Sequence, residues 1–195
     1  MRTVFVDRDG VINQEPGPIL TPEQFIWIPR SAEAIKKINE QSWRCIVVSN
    51  QSGFARGTLS MEQFQAICDK MNQGFAKVGA HIDDLFYCPH YPKPLKDGVK
   101  ELCVDCECRK PGTMMFDQAA RKHGILPKDC VFIGDTTTDF EAAYRWGMPV
   151  IGVRTGHAGD DRKCDREPFA WVDDLYEAVT MIIRKWPGPD EGVRS

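Results

Sequence analysis

The chain has 195 residues, 42% of them hydrophobic and 27% charged, which suffices for one well-buried domain and excludes two of ordinary size. A formal charge of −3 at pH 7, from 25 basic and 28 acidic residues without a like-charged run, leaves no electrostatic footprint for nucleic acid or an anionic membrane. No apolar stretch approaches the roughly 20 residues that span a bilayer. Because a strand begins within three residues of the N-terminus, no signal peptide is expected, and the reading is a cytoplasmic monomer.

The first predicted element is the apolar run Val4-Phe5-Val6, which leads directly into Asp7-Arg8-Asp9-Gly10. Alternation along a strand sends Asp7 and Asp9 to one side, and Gly10 lets the chain turn without filling the space beside them. Two carboxylates so close repel each other, so they imply a cation, a shared proton or a division into nucleophile and acid. A helical pattern over 31–41 precedes the second strand, 45–48, which ends in Ser49-Asn50-Gln51-Ser52-Gly53. That turn offers a hydroxyl, amides and freely placed N–H groups suited to an oxyanion, although Ser, Asn and Gly dominate ordinary turns too. Ser60 followed by Gln63 fits a capping box and starts a helix over 60–78.

A third strand is expected at 85–87. The segment 88–112 then has little periodicity, and a loop of that length needs a function or a staple. It carries Cys88, His90, Cys103, Cys106 and Cys108, five candidate ligands whose soft sulfur and nitrogen donors favour Zn²⁺ in a closed four-ligand site. Cys103 or Cys106 could complete the set. Cys45, Cys68 and Cys130 fall inside apolar elements and read as buried free thiols. Further helices are expected over 114–123, 139–146 and 174–185, and further strands at 131–133 and 150–153.

Strands alternating with helices predict an α/β fold with a doubly wound parallel sheet. In such sheets ligands bind outside the carboxyl ends of the strands, where Asp7, Ser49 and Asp135 all fall. Asp135 and Asp139 could instead be caps for the helix that follows, and Lys110 a solvated surface residue. His81, His123 and His157 read as surface or helix-end residues, and Trp43 and Trp146 as packing.

Taken in order, Asp7-x-Asp9, Ser49, Lys110 and Gly134-Asp135-x-x-x-Asp139 resemble the haloacid dehalogenase superfamily of phosphohydrolases. The resemblance is closest to the D-glycero-D-manno-heptose 1,7-bisphosphate phosphatases, through Asp7-Arg8-Asp9-Gly10-Val11-Ile12-Asn13, Asn50-Gln51-Ser52-Gly53-Phe54-Ala55-Arg56-Gly57 and Cys108-Arg109-Lys110-Pro111. Histidinol-phosphate phosphatases are near relatives. Length and the terminal Pro/Gly segment predict one domain over 1–186 with a disordered tail at 187–195, and the resemblance implies no large cap and a zinc loop at 88–112. It makes Asp7 the nucleophile and Asp9 the acid and base, with Ser49 and Lys110 on the transferring phosphoryl group. It places Mg²⁺ on Asp7, the Asp9 carbonyl and Asp135, and structural Zn²⁺ on Cys88, His90, Cys106 and Cys108. Asn50, Gln51, Ser52, Arg56 and Arg109 would contact a small phosphorylated sugar, the two arginines taking the phosphate that is not cleaved. Two departures stand out: Glu15-Pro16-Gly17-Pro18 replaces a His-Gly-Tyr-like sequence, and Lys110-Pro111-Gly112-Thr113 lacks the usual second proline. A non-catalytic metal-bound module would not need this acid and base set.

Overall fold

A computed structural model describes residues 1–186, so the expected tail at 187–195 lies outside the described residues. Six strands, β1 (Thr3–Val6), β2 (Arg44–Asn50), β3 (Asp84–Cys88), β4 (Cys130–Gly134), β5 (Val150–Val153) and β6 (Ala170–Val172), form one sheet in the order β3-β2-β1-β4-β5-β6. Every neighbouring pair is parallel. The helices are α1 (Ser31–Glu40), α2 (Met61–Val78), α3 (Met114–His123), α4 (Thr137–Trp146) and α5 (Leu175–Arg184).

Strand alternation divides the core in two. Val4, Val6, Val47, Val131, Ile133 and Ile151 pack beneath α1, α2 and α5, while Phe5, Ile46, Val48, Phe132 and Val150 pack beneath α3 and α4. Burial on both faces explains why β1, β2, β4 and β5 read as nearly continuous apolar runs. Phe5 meets Phe116 and Trp146 edge-on at 5.1 and 5.7 Å, so Trp146 is packing, as expected.

The helix boundaries follow local chemistry. Ser60 accepts from the Gln63 N–H and the Gln63 side chain returns the bond, which is the predicted box. α4 starts at 137, two residues before the expected 139, because Thr136 and Asp139 form a second box. Gly147 ends that helix at φ 86°, where a side chain would be strained. β6 was not expected, since three residues at a sheet edge, two half-buried and one buried, carry too short a pattern.

Between β1 and α1 the chain holds a 3-10 turn, Pro22–Gln24, and two isolated bridges; between β3 and α3 it holds another turn, Lys100–Leu102. Neither connection contains a further helical or sheet unit among the described residues. The segment 88–112 instead lies against the loop after β2, with the Val99 N–H donating to the Ala55 carbonyl at 2.9 Å.

Candidate active site

The strand order changes direction at β1, and the carboxyl ends of β1 and β4 therefore form the crevice where such sheets bind ligands. Asp7 leaves β1 there, its N–H donating to the Ile133 carbonyl at 3.0 Å. Asp135 leaves β4 beside it, and Asp139 reaches the same point from the first turn of α4. Carboxylate oxygens of Asp7, Asp135 and Asp139 lie within 4.8 Å of one another. Lys110 enters from the segment before α3, with Nζ 3.0 Å from Asp7 Oδ1 and 2.7 Å from Asp139 Oδ1, and also donates to the Val48 carbonyl at 3.0 Å. It is 3% exposed, which excludes a solvated surface lysine.

Three carboxylates thus face one ammonium, and burial makes the imbalance felt. Burial pushes the Asp7 carboxyl up to about 8, with Lys110 opposing and the Asp139 and Asp9 charges adding to the rise. Burial, followed by the Asp139 and Asp7 charges, also raises Asp135 well above its ordinary value. Burial works against the Lys110 ammonium, but Asp139 and Asp7 outweigh it and raise its pKa. Asp135 Oδ2 accepts the His157 N–H at 2.7 Å, while its buried Oδ1 has no hydrogen-bond partner among the described residues. A Cβ on Gly10 or Gly156 would come within 2.5 or 2.2 Å of Asp135 Oδ2, so two bare glycines keep this pocket open. The pocket fits a divalent cation in charge and in donor type, since hard oxygen donors suit Mg²⁺.

Asp9 has different company. Its carboxylate takes bonds from Arg8 at 2.8 Å, Asn13 Nδ2 at 3.0 Å and Gln51 Nε2 at 2.7 Å. Burial disfavours its charge, but the Arg8 charge and these bonds win, so its carboxyl stays below the usual range. Gln51 Nε2 also donates to Ser49 Oγ at 2.8 Å, placing that hydroxyl beside Asp9. Asn50 exchanges two hydrogen bonds with the Lys110 backbone, at 3.0 and 3.2 Å, and so fixes the lysine's entry. Asp139 Oδ2 accepts the Asp135 and Thr136 N–H groups, so this residue is both a cap and a partner of Lys110. Ser52 is half-buried in the loop that carries Arg56.

In the segment 88–112, Cys88, His90, Cys106 and Cys108 converge. Sulfur–sulfur separations are 3.0, 3.3 and 3.6 Å, and His90 Nδ1 lies 3.1 Å from Cys108 Sγ and 3.6 Å from Cys88 Sγ. A tetrahedron with metal–sulfur bonds of about 2.3 Å has edges of about 3.8 Å, so this slightly contracted cluster fits a four-coordinate soft metal. Burial raises the Cys88 and Cys108 thiols, so a metal is what would make them thiolates. Cys103, the alternative ligand, turns away towards the Ala55 carbonyl at 3.7 Å.

The sequence reading missed Arg8, which is 1% exposed and bonded to Asp9, and the turn holding Gly156 and His157. His157 is an exposed residue, as expected, and it is its backbone N–H that binds Asp135. A glycine soon after the end of β5, on the same side as Asp7 and Asp135, was the available signal.

The fold and site define a HAD-like hydrolase. A family model described as HAD-hydrolase-like matches residues 107–178. A D-glycero-alpha-D-manno-heptose-1,7-bisphosphate 7-phosphatase of Photorhabdus laumondii is 38% identical, over 80% of this chain and 85% of its own. A D-glycero-D-manno-heptose-1,7-bisphosphate 7-phosphatase of Chlorobaculum tepidum is 34% identical, over 95% and 96%. Among solved structures, a D,D-heptose 1,7-bisphosphate phosphatase from B. bronchiseptica, complexed with magnesium and phosphate, matches with a TM-score of 0.83 and 30% identity, over 95% of this chain and 99% of that one. The chain belongs to the heptose-1,7-bisphosphate 7-phosphatase family of HAD-like hydrolases.

Proposed function

We propose that the chain is a Mg²⁺-dependent phosphohydrolase that removes the C7 phosphate of D-glycero-D-manno-heptose 1,7-bisphosphate, on one catalytic domain over 1–186. The observation that carries the reading is the charge imbalance at the strand ends, three buried carboxylates against Lys110, in a chain whose named relatives are such phosphatases.

Asp7, ionised, attacks phosphorus, the bond to the sugar oxygen breaks, and Asp9, which must first take up a proton from solvent against the Arg8 charge and its hydrogen bonds, passes that proton to the oxygen. Asp9 then takes a proton from water, which attacks the aspartyl phosphate and restores Asp7. For the first step Asp9 has to exchange at least one of its partners, Arg8, Asn13 or Gln51, for the leaving oxygen. Ser49 and Lys110 hold the transferring oxygens, and Asn50 and Gln51 hold Lys110 and Ser49 in turn. Mg²⁺ on Asp7, Asp135 and the Asp9 carbonyl would supply the positive charge that lets an anionic nucleophile approach an anionic phosphate. Structural Zn²⁺ on Cys88, His90, Cys106 and Cys108 would staple the loop, fixing Lys110 two residues from a ligand. Arg56 and Arg109 take the retained phosphate, and Ser52 lines that loop.

A second reading draws on Glu15, whose carboxyl is raised by burial and the Asp9 charge, then by Asp139, with His157, 3.5 Å away, opposing. An acidic rim suits a cationic substrate such as histidinol phosphate. The named relatives themselves divide between α and β anomers. Phosphate release with Mg²⁺ from both anomers of the heptose bisphosphate, beside histidinol phosphate, tests the reading. Preference for a heptose anomer is expected; preference for histidinol phosphate overturns it.

A further inference from the structure

Arg56, on the loop after β2, and Arg109, beside Lys110, belong to different segments, yet both guanidinium groups lie over the ring of Tyr91, 4.6 and 5.6 Å from its centroid. Two cations drawn to one ring repel each other, and among the described residues neither is paired with a carboxylate. Tyr176 provides the contrast. It also carries two cations, Arg30 and Lys37, but Arg30 is bound to Asp174 at 2.7 Å and Lys37 donates to Thr180 at 3.2 Å. At Tyr91, among the described residues, the one side-chain hydrogen bond of the pair runs from Arg109 Nη1 to the His90 carbonyl at 3.1 Å.

The way a ring holds a guanidinium matters. An ion pair occupies the in-plane N–H donors, whereas an aromatic ring attracts the cation through its π face and leaves donors free for a ligand. Tyr91 is itself fixed, its N–H donating to the Leu102 carbonyl at 3.0 Å and its neighbour His90 lying in the Cys/His cluster. The loop carrying Arg56 is anchored to the same segment through the Val99 N–H on Ala55. Two arginines without a carboxylate partner among the described residues, gathered on one ring in the segment that leads to Lys110, are suited to a second anion.

We propose that Tyr91 is a positioning residue whose ring sets the spacing of Arg56 and Arg109 on the phosphate that is not cleaved, and so selects bisphosphates over monophosphates. This rests on the sugar bisphosphate reading given above. Tyr91 is not one of the residues that converge at the strand-end pocket, Asp7, Lys110, Asp135 and Asp139.

The test compares kcat and KM on heptose 1,7-bisphosphate and on a sugar monophosphate for the wild type, Tyr91→Phe and Tyr91→Leu, with zinc content measured for each. Tyr91→Leu should lower the bisphosphate to monophosphate ratio of kcat/KM about tenfold, chiefly through KM, as loss of two such contacts predicts. Tyr91→Phe keeps the ring and should keep the ratio. An unchanged ratio in Tyr91→Leu overturns the proposal alone. A wild type without bisphosphate preference overturns the substrate reading and this role together. Parallel loss on both substrates, accompanied by loss of zinc, reduces the ring to a folding role and also overturns it.

Discussion

Replacing Asp7 with Asn should abolish hydrolysis and, without Mg²⁺, make the protein more stable. The folded carboxyl is pushed up to about 8 by burial, against an ordinary value of 3.8. Between those values the folded chain keeps a proton that the unfolded chain releases. Stability therefore falls as pH rises through that window, by about 1.4 kcal/mol per pH unit, and is level on either side. Asn carries no such term, and its Oδ1 can still accept from the Arg8 N–H and from Lys110, as Asp7 Oδ1 does at 2.7 and 3.0 Å. The gain should be near zero at pH 4 and grow towards an upper bound on the order of 5 kcal/mol at pH 8. Urea unfolding followed by circular dichroism measures it, with Mg²⁺ removed by dialysis so that no chelator strips the Cys/His cluster. Saturating Mg²⁺ should narrow the difference, since a ligand at 100 times its Kd stabilises the wild type by about 2.7 kcal/mol and the Asn variant binds it poorly. Parallel pH dependence in the two metal-free proteins would refute the reasoning.

Lys110→Met leaves Asp7 and Asp139 facing each other without a cation, so it should destabilise the Mg²⁺-free protein by roughly 3–5 kcal/mol in the same unfolding assay, besides stopping turnover. Gly10→Ala forces a Cβ to 2.5 Å from Asp135 Oδ2 at a φ of +78°; the Mg²⁺ concentration for half-maximal activity should rise about tenfold or more. Cys106→Ser should lower bound zinc, read by elemental analysis, and reduce kcat, whereas Cys103→Ser should keep a full complement because that thiol faces Ala55.

The elements that show in the sequence are those whose burial leaves a long signal. β1, β2, β4 and β5 are buried on both faces and read as apolar runs, and the box at Ser60 and Gln63 marks α2 outright. β6 fails that test, with Ala170, Trp171 and Val172 at an edge too short for a period to register. Asp7 and Asp135 are legible as carboxylates at strand ends, whereas Lys110 is legible through the family resemblance of the motifs taken in order. Arg8 is hidden because nothing in a sequence distinguishes an arginine that solvates the surface from one buried beneath its neighbour's carboxylate. The double duty of Asp139 is hidden for a related reason: a cap and an ion-pair partner use the same residue type, and only the packing of α4 against Lys110 shows both at once.

The position of β1 at the middle of the sheet has a consequence for how the protein can be divided. Asp7 leaves β1, yet its lysine, its neighbouring acid and the strand that receives its N–H all come from residue 110 onward. No contiguous half of the chain holds the cation pocket. A cut between β2 and β3 would give two inert fragments, neither carrying both the nucleophile and Lys110, and phosphate release would return only when β1 pairs again with β4. The enzyme is therefore suited to serve as a split reporter, its turnover signalling the meeting of two fused proteins; by the same logic, a nascent chain that stops short of β4 hydrolyses nothing.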